Sequence, residues 1–233
     1  MTWPDLTRVH DLVEVVDRLR SPGGCPWDAQ QTHASLAPYA VEEACELAEA
    51  ASTEPIDRAH LREELGDLLL QVVFHARVAQ EDASDPFGLD DVARGIAEKL
   101  RRRHPHVFGA GGARTPEQVV DRWEELKAAE KPERTGVFDG VPVGMPALER
   151  AAKYVSRLDR AGRWDVIDGL PSPAAAPAPA AASSGSSVST DSCASDSDVG
   201  ARLLALVAEA HRAGIDPSAA LRSTLRLLKD AAR

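Results

Sequence analysis

Four carboxylates stand where they could act together. Glu43 and Glu46 lie three residues apart in the run AVEEACELAEAAS, and Glu64 and Asp67 repeat that interval in EELGDLLL. Residues three apart on a helix share a face. If a short connection folds the two helices into a hairpin, both faces meet. Four negative groups inside an apolar bundle repel strongly unless cations neutralise them. Hard oxygen ligands without a soft donor favour Mg2+, with Mn2+ as a substitute, over zinc. Magnesium keeps waters and takes substrate phosphates as ligands, so such a site is poised for phosphate chemistry. The competing reading is a solvated acidic face, because glutamate is a strong helix former and Glu42, Glu43, Glu46 and Glu49 crowd one segment. Two features favour a site. Gly66 sits mid-helix at a cost of about 1 kcal/mol against alanine, which predicts a close approach or packing demand there. Asp67 runs directly into LLLQVVF, odd surroundings for a purely solvated acid.

Helices must position these acids. Leu6, Val9, Leu12, Val13, Val16 and Leu19 recur at spacings of three and four, an amphipathic helix over residues 5–20 that Ser21-Pro22-Gly23-Gly24 ends. Gly24-Cys25-Pro26-Trp27-Asp28 reads as a compact loop. Asp28 is placed to accept hydrogen bonds from the next helix's free amides, with residues 32–39 as a connection. Strong helix formers fill residues 40–52 until Thr53-Glu54-Pro55 breaks the run. A second helix over 57–81 is apolar around much of its circumference beyond Leu65, as expected of a helix buried between partners in a bundle. Residues 90–103 form another amphipathic helix, ended by His104-Pro105, and Thr115-Pro116 opens one that runs to about Glu130. A Gly/Pro-punctuated stretch then leads to a basic helix near 147–161. Residues 171–198, rich in Ala, Pro and Ser, cannot offset the entropy of ordering and are expected to form a flexible tether. Helical periodicity returns over 199–229, with a break at 214–217. Strand-like alternation of useful length is missing, so the predicted fold is all-α.

The chain has 233 residues, 43% of them apolar, enough for a packed core in one or two domains. No run reaches the ~18 apolar residues of a membrane span. The first residues carry acids every few positions and lack the basic-then-apolar order of a secretory signal. Three cysteines without CxxC spacing fit neither a disulfide framework nor a zinc ribbon, so a reducing, cytoplasmic setting is expected. The net charge of −10 argues against a broad grip on a nucleic-acid backbone. Residues 1–135 hold 26 acidic and 16 basic side chains and residues 136–233 hold 11 of each, so all the excess acid lies in the half that carries the four carboxylates.

Five blocks in order resemble the MazG family of nucleoside triphosphate pyrophosphohydrolases. They are Gly24-Cys25-Pro26-Trp27-Asp28, residues 38–46 (PYAVEEACE), residues 64–69 (ELGDLL), residues 98–108 (EKLRRRHPHVF) and residues 122–127 (RWEELK). The family pattern is EExxE followed by ExxD, and here 17 residues separate Glu46 from Glu64. The resemblance implies that Glu43, Glu46, Glu64 and Asp67 are magnesium ligands. It implies that Lys99 and Arg103 are phosphate-binding cations, that Trp123 contacts the nucleotide and that Lys127 is a further phosphate contact. A polyanionic triphosphate at an acidic site needs metals to invert the sign and lysine or arginine to hold its tail. Against these roles stand ordinary ones. Arg101, Arg102 and Arg103 also complement a helix dipole, and a lone tryptophan is more often core than ligand. His104 and His106 read as a terminator and turn, His75 as a satisfied core histidine and Cys45 as a small packed apolar group.

A worn second copy follows. Gly162-Arg163-Trp164-Asp165 resembles the loop that opens a second domain, and residues 198–204 (DVGARLL) resemble ExxDLL with Ala201 where the aspartate belongs. The expected organisation is a catalytic domain over 1–133, a connecting segment with the basic helix over 134–170, the tether over 171–198 and a degenerate helical remnant over 199–233. Without its carboxylates the remnant is expected to be catalytically dead, serving a dimer or docking on the first domain. The resemblance implies hydrolysis of a nucleoside triphosphate between the α and β phosphorus atoms; Glu42, next to the ligands but not needed as one, is a candidate base. One hairpin offers little surface to enclose a nucleotide, so a homodimer or dimer of dimers with a four-helix core is expected, burying LLLQVVF. The rivals are an all-α pyrophosphatase for one nucleotide, such as dUTP, dCTP or phosphoribosyl-ATP, and a non-enzymatic helical interaction module.

Overall fold

The computed structural model describes residues 6–109, 112, 115–169 and 196–232, and the chain divides into two compact units, Met1–Glu130 and Lys131–Arg233. Among the described residues all regular structure is helical. The first unit holds α1 (Thr7–Arg20), α2 (Pro26–Gln30), α3 (His33–Ser52), α4 (Arg58–Ala79), α5 (Leu89–Arg103), α6 (Pro105–Phe108) and α7 (Pro116–Ala129). The second holds α8 (Ala147–Arg160), α9 (Asp165–Asp168), α10 (Asp196–Arg212) and α11 (Pro217–Ala231). No helix among the described residues is long and apolar enough to cross a membrane.

The α3–α4 hairpin is the centre of the first unit, and both helices start on side-chain caps. The Thr32 hydroxyl accepts from the Ser35 amide at 3.2 Å while the Thr32 amide donates to Ser35 Oγ at 2.9 Å. Asp57 Oδ1 accepts from the amides of Ala59 and His60 at 2.9 and 3.3 Å. Each cap satisfies amides that the first helical turn leaves without partners. The helices run antiparallel, since His33 near the start of α3 meets His75 near the end of α4. Val16, Leu36, Val73 and Phe74 form the core between α1, α3 and α4, with Leu12, Val13, Leu70, Val78 and Leu89 packed on it.

A charged corner fixes α1 against α4. Arg20, its side chain only 6% exposed, donates to both oxygens of Glu81 at 2.8 Å and to the carbonyls of Asp28 and Gln31 at 2.8 and 2.9 Å. Arg77 donates to Asp17 at 2.6 Å and to Glu81 at 2.8 Å.

Several expectations are corrected. α3 begins at His33 rather than residue 40, running through Pro38, because the Thr32 cap and burial of Leu36 outweigh the one hydrogen bond the proline forfeits. Asp28 caps nothing and lies inside α2. A Cβ on Gly66 would meet no atom within 4 Å, so among the described residues no other element approaches it closely. Cys45 is exposed rather than packed. One face of α4 also stays open, with Leu65, Leu69 and Val72 exposed. α10 starts at Asp196, inside the span expected to be tether, and residues 171–195 of that expectation lie outside the described residues.

The second unit packs α8, α10 and α11 around Val155, Val207 and Ala208, with Trp164, Ile167 and Leu204 against them. Trp164 Nε1 donates to Asp159 at 2.7 Å, and the Arg212 guanidinium lies 4.2 Å from the Trp164 ring centre. This core repeats that of the first unit. Aligning Gly66 with Gly200 brings Val73 onto Val207 and Phe74 onto Ala208, and Val16-Asp17-Arg18-Leu19 corresponds to Val155-Ser156-Arg157-Leu158.

Candidate active site

α3 contributes Glu43 and α4 contributes Glu64 and Asp67, and the hairpin brings one carboxylate oxygen of each to within 4.8 Å of the other two. The caps set where each helix begins and hence which face each acid occupies. Glu46 and Glu42 are exposed on α3 outside this trio, yet both act on it electrostatically. Burial raises the Glu43 carboxyl above the usual glutamate range, and the charges of Asp67, Glu46, Glu64 and Glu42 push it the same way. Glu64 is also raised, by burial first and then by Glu46, against a lowering contribution from His60.

Glu64 is 7% exposed, and its Oε2 is buried without a hydrogen-bond partner. A buried acceptor with no donor is costly. Three converging carboxylates, one with an orphaned oxygen, all hard donors, fit a divalent cation with oxygen preference. The other oxygen of Glu64 is 3.1 Å from His60 Nδ1, one helical turn back.

The expected phosphate contacts sit on neighbouring helices. α5 packs on α4, and α7 packs on α5. Lys99 is exposed on α5. Arg103, at the end of α5, is buried and engaged: its Nε donates to Glu130 at 3.2 Å, its Nη2 donates to the same carboxylate, and its guanidinium is 5.2 Å from the Trp123 ring centre. Trp123 is half-buried on α7, edge-on to His104 at 5.0 Å between ring centres. Lys127 is half-buried one turn further along α7. His104 caps α5, as a terminator should. His75 pairs with His33, their Nδ1 atoms 2.8 Å apart and their rings stacked.

Two residues of this region escaped the sequence reading. Glu130 holds Arg103 from 27 positions away, and no local pattern announces it. His60 does carry a signal, the i, i+4 interval to Glu64, which is the spacing at which helical side chains meet.

Comparison with known proteins adds to this geometry. Residues 31–108, which span the hairpin and α5, match the MazG nucleotide pyrophosphohydrolase domain. The chain is 46% identical over 226 residues to an uncharacterized 26.1 kDa protein of Streptomyces cacaoi, covering 97% of this chain and 81% of that one. It is 36% identical over 218 residues to the nucleoside triphosphate pyrophosphohydrolase/pyrophosphatase MazG of Thermotoga maritima, covering 93% of this chain and 81% of the relative. Over 160 residues it is 42% identical to the nucleoside triphosphate pyrophosphohydrolase of Escherichia coli K12, of whose length it spans 59%. With the helical hairpin, the carboxylate trio and these relatives in agreement, the chain belongs to the MazG family.

Proposed function

We propose that the chain is a nucleoside triphosphate pyrophosphohydrolase, cutting (d)NTPs between the α and β phosphorus atoms to a nucleoside monophosphate and pyrophosphate, in the clearance of non-standard or damaged nucleotides. The observation that carries this reading is the trio Glu43, Glu64 and Asp67 with the unpartnered Oε2 of Glu64. The activity for which the Thermotoga maritima and Escherichia coli relatives are named supports it. Glu43, Glu64 and Asp67 hold the cation, Mg2+ with Mn2+ as a substitute, and Glu46 beside them completes the ligand set. The bound cation supplies positive charge to the phosphates and lowers the pKa of water at the site.

The chain's own groups do the rest. Glu42, adjacent to the ligands, accepts the proton of the attacking water. Lys99, Arg103 and Lys127 balance the charge of the departing pyrophosphate, and Trp123 contacts the nucleotide. For Arg103 to reach a phosphate, Glu130 must give way. The open stripe of Leu65, Leu69 and Val72, beside a glycine with free space around it, supports a second copy of the chain closing the site as a homodimer or dimer of dimers. Light scattering at monomer mass across concentrations counts against that assembly. The second unit, with Ala201 in place of the acid, takes no part in the chemistry.

The test is product analysis over a panel of natural and damaged triphosphates with Mg2+, using Glu64→Gln as control. Pyrophosphate release by the parent and its loss in the variant are expected. Orthophosphate in place of pyrophosphate overturns the cut position, and hydrolysis that survives Glu64→Gln overturns the site.

A further inference from the structure

We propose that His60 is a positioning residue for Glu64, presenting that carboxylate to the cation; the role rests on the carboxylate reading above. The chain of contacts begins at the start of α4. Asp57 accepts the backbone amide of His60, which fixes the first turn. From that turn the imidazole reaches one turn forward, its Nδ1 3.1 Å from Glu64 Oε1. That is ion-pair distance without the alignment of a hydrogen bond; in the proposed role a small turn of the exposed ring directs the Nδ1 hydrogen at Oε1, because a carboxylate oxygen accepts. The imidazole thus stands beside Oε1, while Oε2 is buried without a partner.

A glutamate carboxylate turns easily about its last torsion, a broad, roughly two-fold well. Without a donor on Oε1, either oxygen can rotate toward Glu43 and Asp67, and the repulsion already pressing on Glu64 favours turning away from them. A hydrogen bond from the imidazole to Oε1 removes that freedom in the proposed role. Hydrogen bonds of this kind, one shell out from a metal, orient the ligating oxygen and typically change metal affinity about ten- to a hundredfold when lost. His60 is well placed for this and for little else. Its side chain is 49% exposed, so it adds little to the core.

The experiment is Mn2+ binding to the metal-free full chain, followed by electron paramagnetic resonance, for the parent, His60→Ala, His60→Asn and Glu64→Gln. Asparagine carries an amide nitrogen on the same carbon as Nδ1 and can donate to Oε1, whereas alanine cannot. Expected is a loss of about tenfold or more in Mn2+ affinity for His60→Ala and recovery to within about threefold of the parent for His60→Asn. Circular dichroism of the metal-free variants checks that each is folded. Parent-like affinity in His60→Ala overturns the proposal. So does an equal loss in both His60 variants, because a merely structural role is not rescued by the donor. Glu64→Gln separates this from the reading beneath it. If that variant binds Mn2+ like the parent, the carboxylate site itself is wrong; if it loses Mn2+ while His60→Ala does not, only the positioning role falls.

Discussion

The two units of the chain share a packing scheme and differ in chemistry. In the first, Glu64 and Asp67 lead along α4 to the core pair Val73 and Phe74; in the second, Asp198 and Ala201 lead at the same offsets along α10 to Val207 and Ala208. Val16 and Val155, at matching places on α1 and α8, are each 1% exposed. Gly66 and Gly200 both sit where an added Cβ would meet nothing. Arginines brace each unit through backbone carbonyls: Arg20 binds those of Asp28 and Gln31, and Arg157 binds those of Val137 and Asp139. A helix can therefore differ in its acids while the buried valines further along it stay, because the two features are set by different residues of the same helix.

The sharpest test of the contrast is to remove one acid and add another. Glu64→Gln is expected to lower kcat/KM for pyrophosphate release by about a hundredfold or more. Ala201→Asp is expected to bring no release of its own, and a gain of cation binding in α10 would break the comparison.

Core truncation comes next. Val73→Ala and Val207→Ala should each cost about 1.5–3 kcal/mol in unfolding experiments. Pyrophosphate release well below the melting range should survive Val207→Ala, and its collapse there would tie the second unit to the chemistry.

Cation addition should give a smaller, pH-dependent effect. Glu43 and Glu64 are raised, so the folded chain binds protons more tightly than the unfolded one and the metal-free hairpin loses stability as pH rises through the range above ordinary glutamate values. Mg2+ or Mn2+ at about a hundred times its Kd adds roughly 2.7 kcal/mol. The resulting rise in melting temperature should be larger near neutral pH than near pH ~5 and should vanish in Glu64→Gln, as calorimetry can show.

Acid is the mildest probe. Glu81, held below the usual range chiefly by its hydrogen bond from Arg20, and Asp159, held down by His211 and then Trp164, stabilise their units above ordinary carboxylate values. That contribution is lost as pH falls through their lowered values. Glu81→Gln and Asp159→Asn should each flatten the acid limb of the melting curve.

Much of the first unit was legible because its signals are local. The ExxD interval places Glu64 and Asp67 on one face, and the break at Thr53-Glu54-Pro55 predicts the hairpin that brings Glu43 to them. The start of α3 was not legible, since Pro38 speaks for a break while the winning terms, a two-residue cap and burial of Leu36 against α1 and α4, are partly tertiary. Gly66 was read as a close approach, but a mid-helix glycine reports only a missing side chain, and the space beside it is open. The engagement of Arg103 by Glu130 depends on how α5 and the end of α7 meet, which no spacing rule encodes.

The Arg20 guanidinium has a consequence for the medium in which α1 keeps its place. Small ions screen exposed pairs such as Arg8–Asp11 within a few ångströms at molar ionic strength, but they have little access to a guanidinium that is 6% exposed and bound on several sides. The Arg20 contacts to the Asp28 and Gln31 carbonyls should thus hold from dilute buffer to concentrated brine, while the half-exposed Glu81 end of the brace loosens with salt.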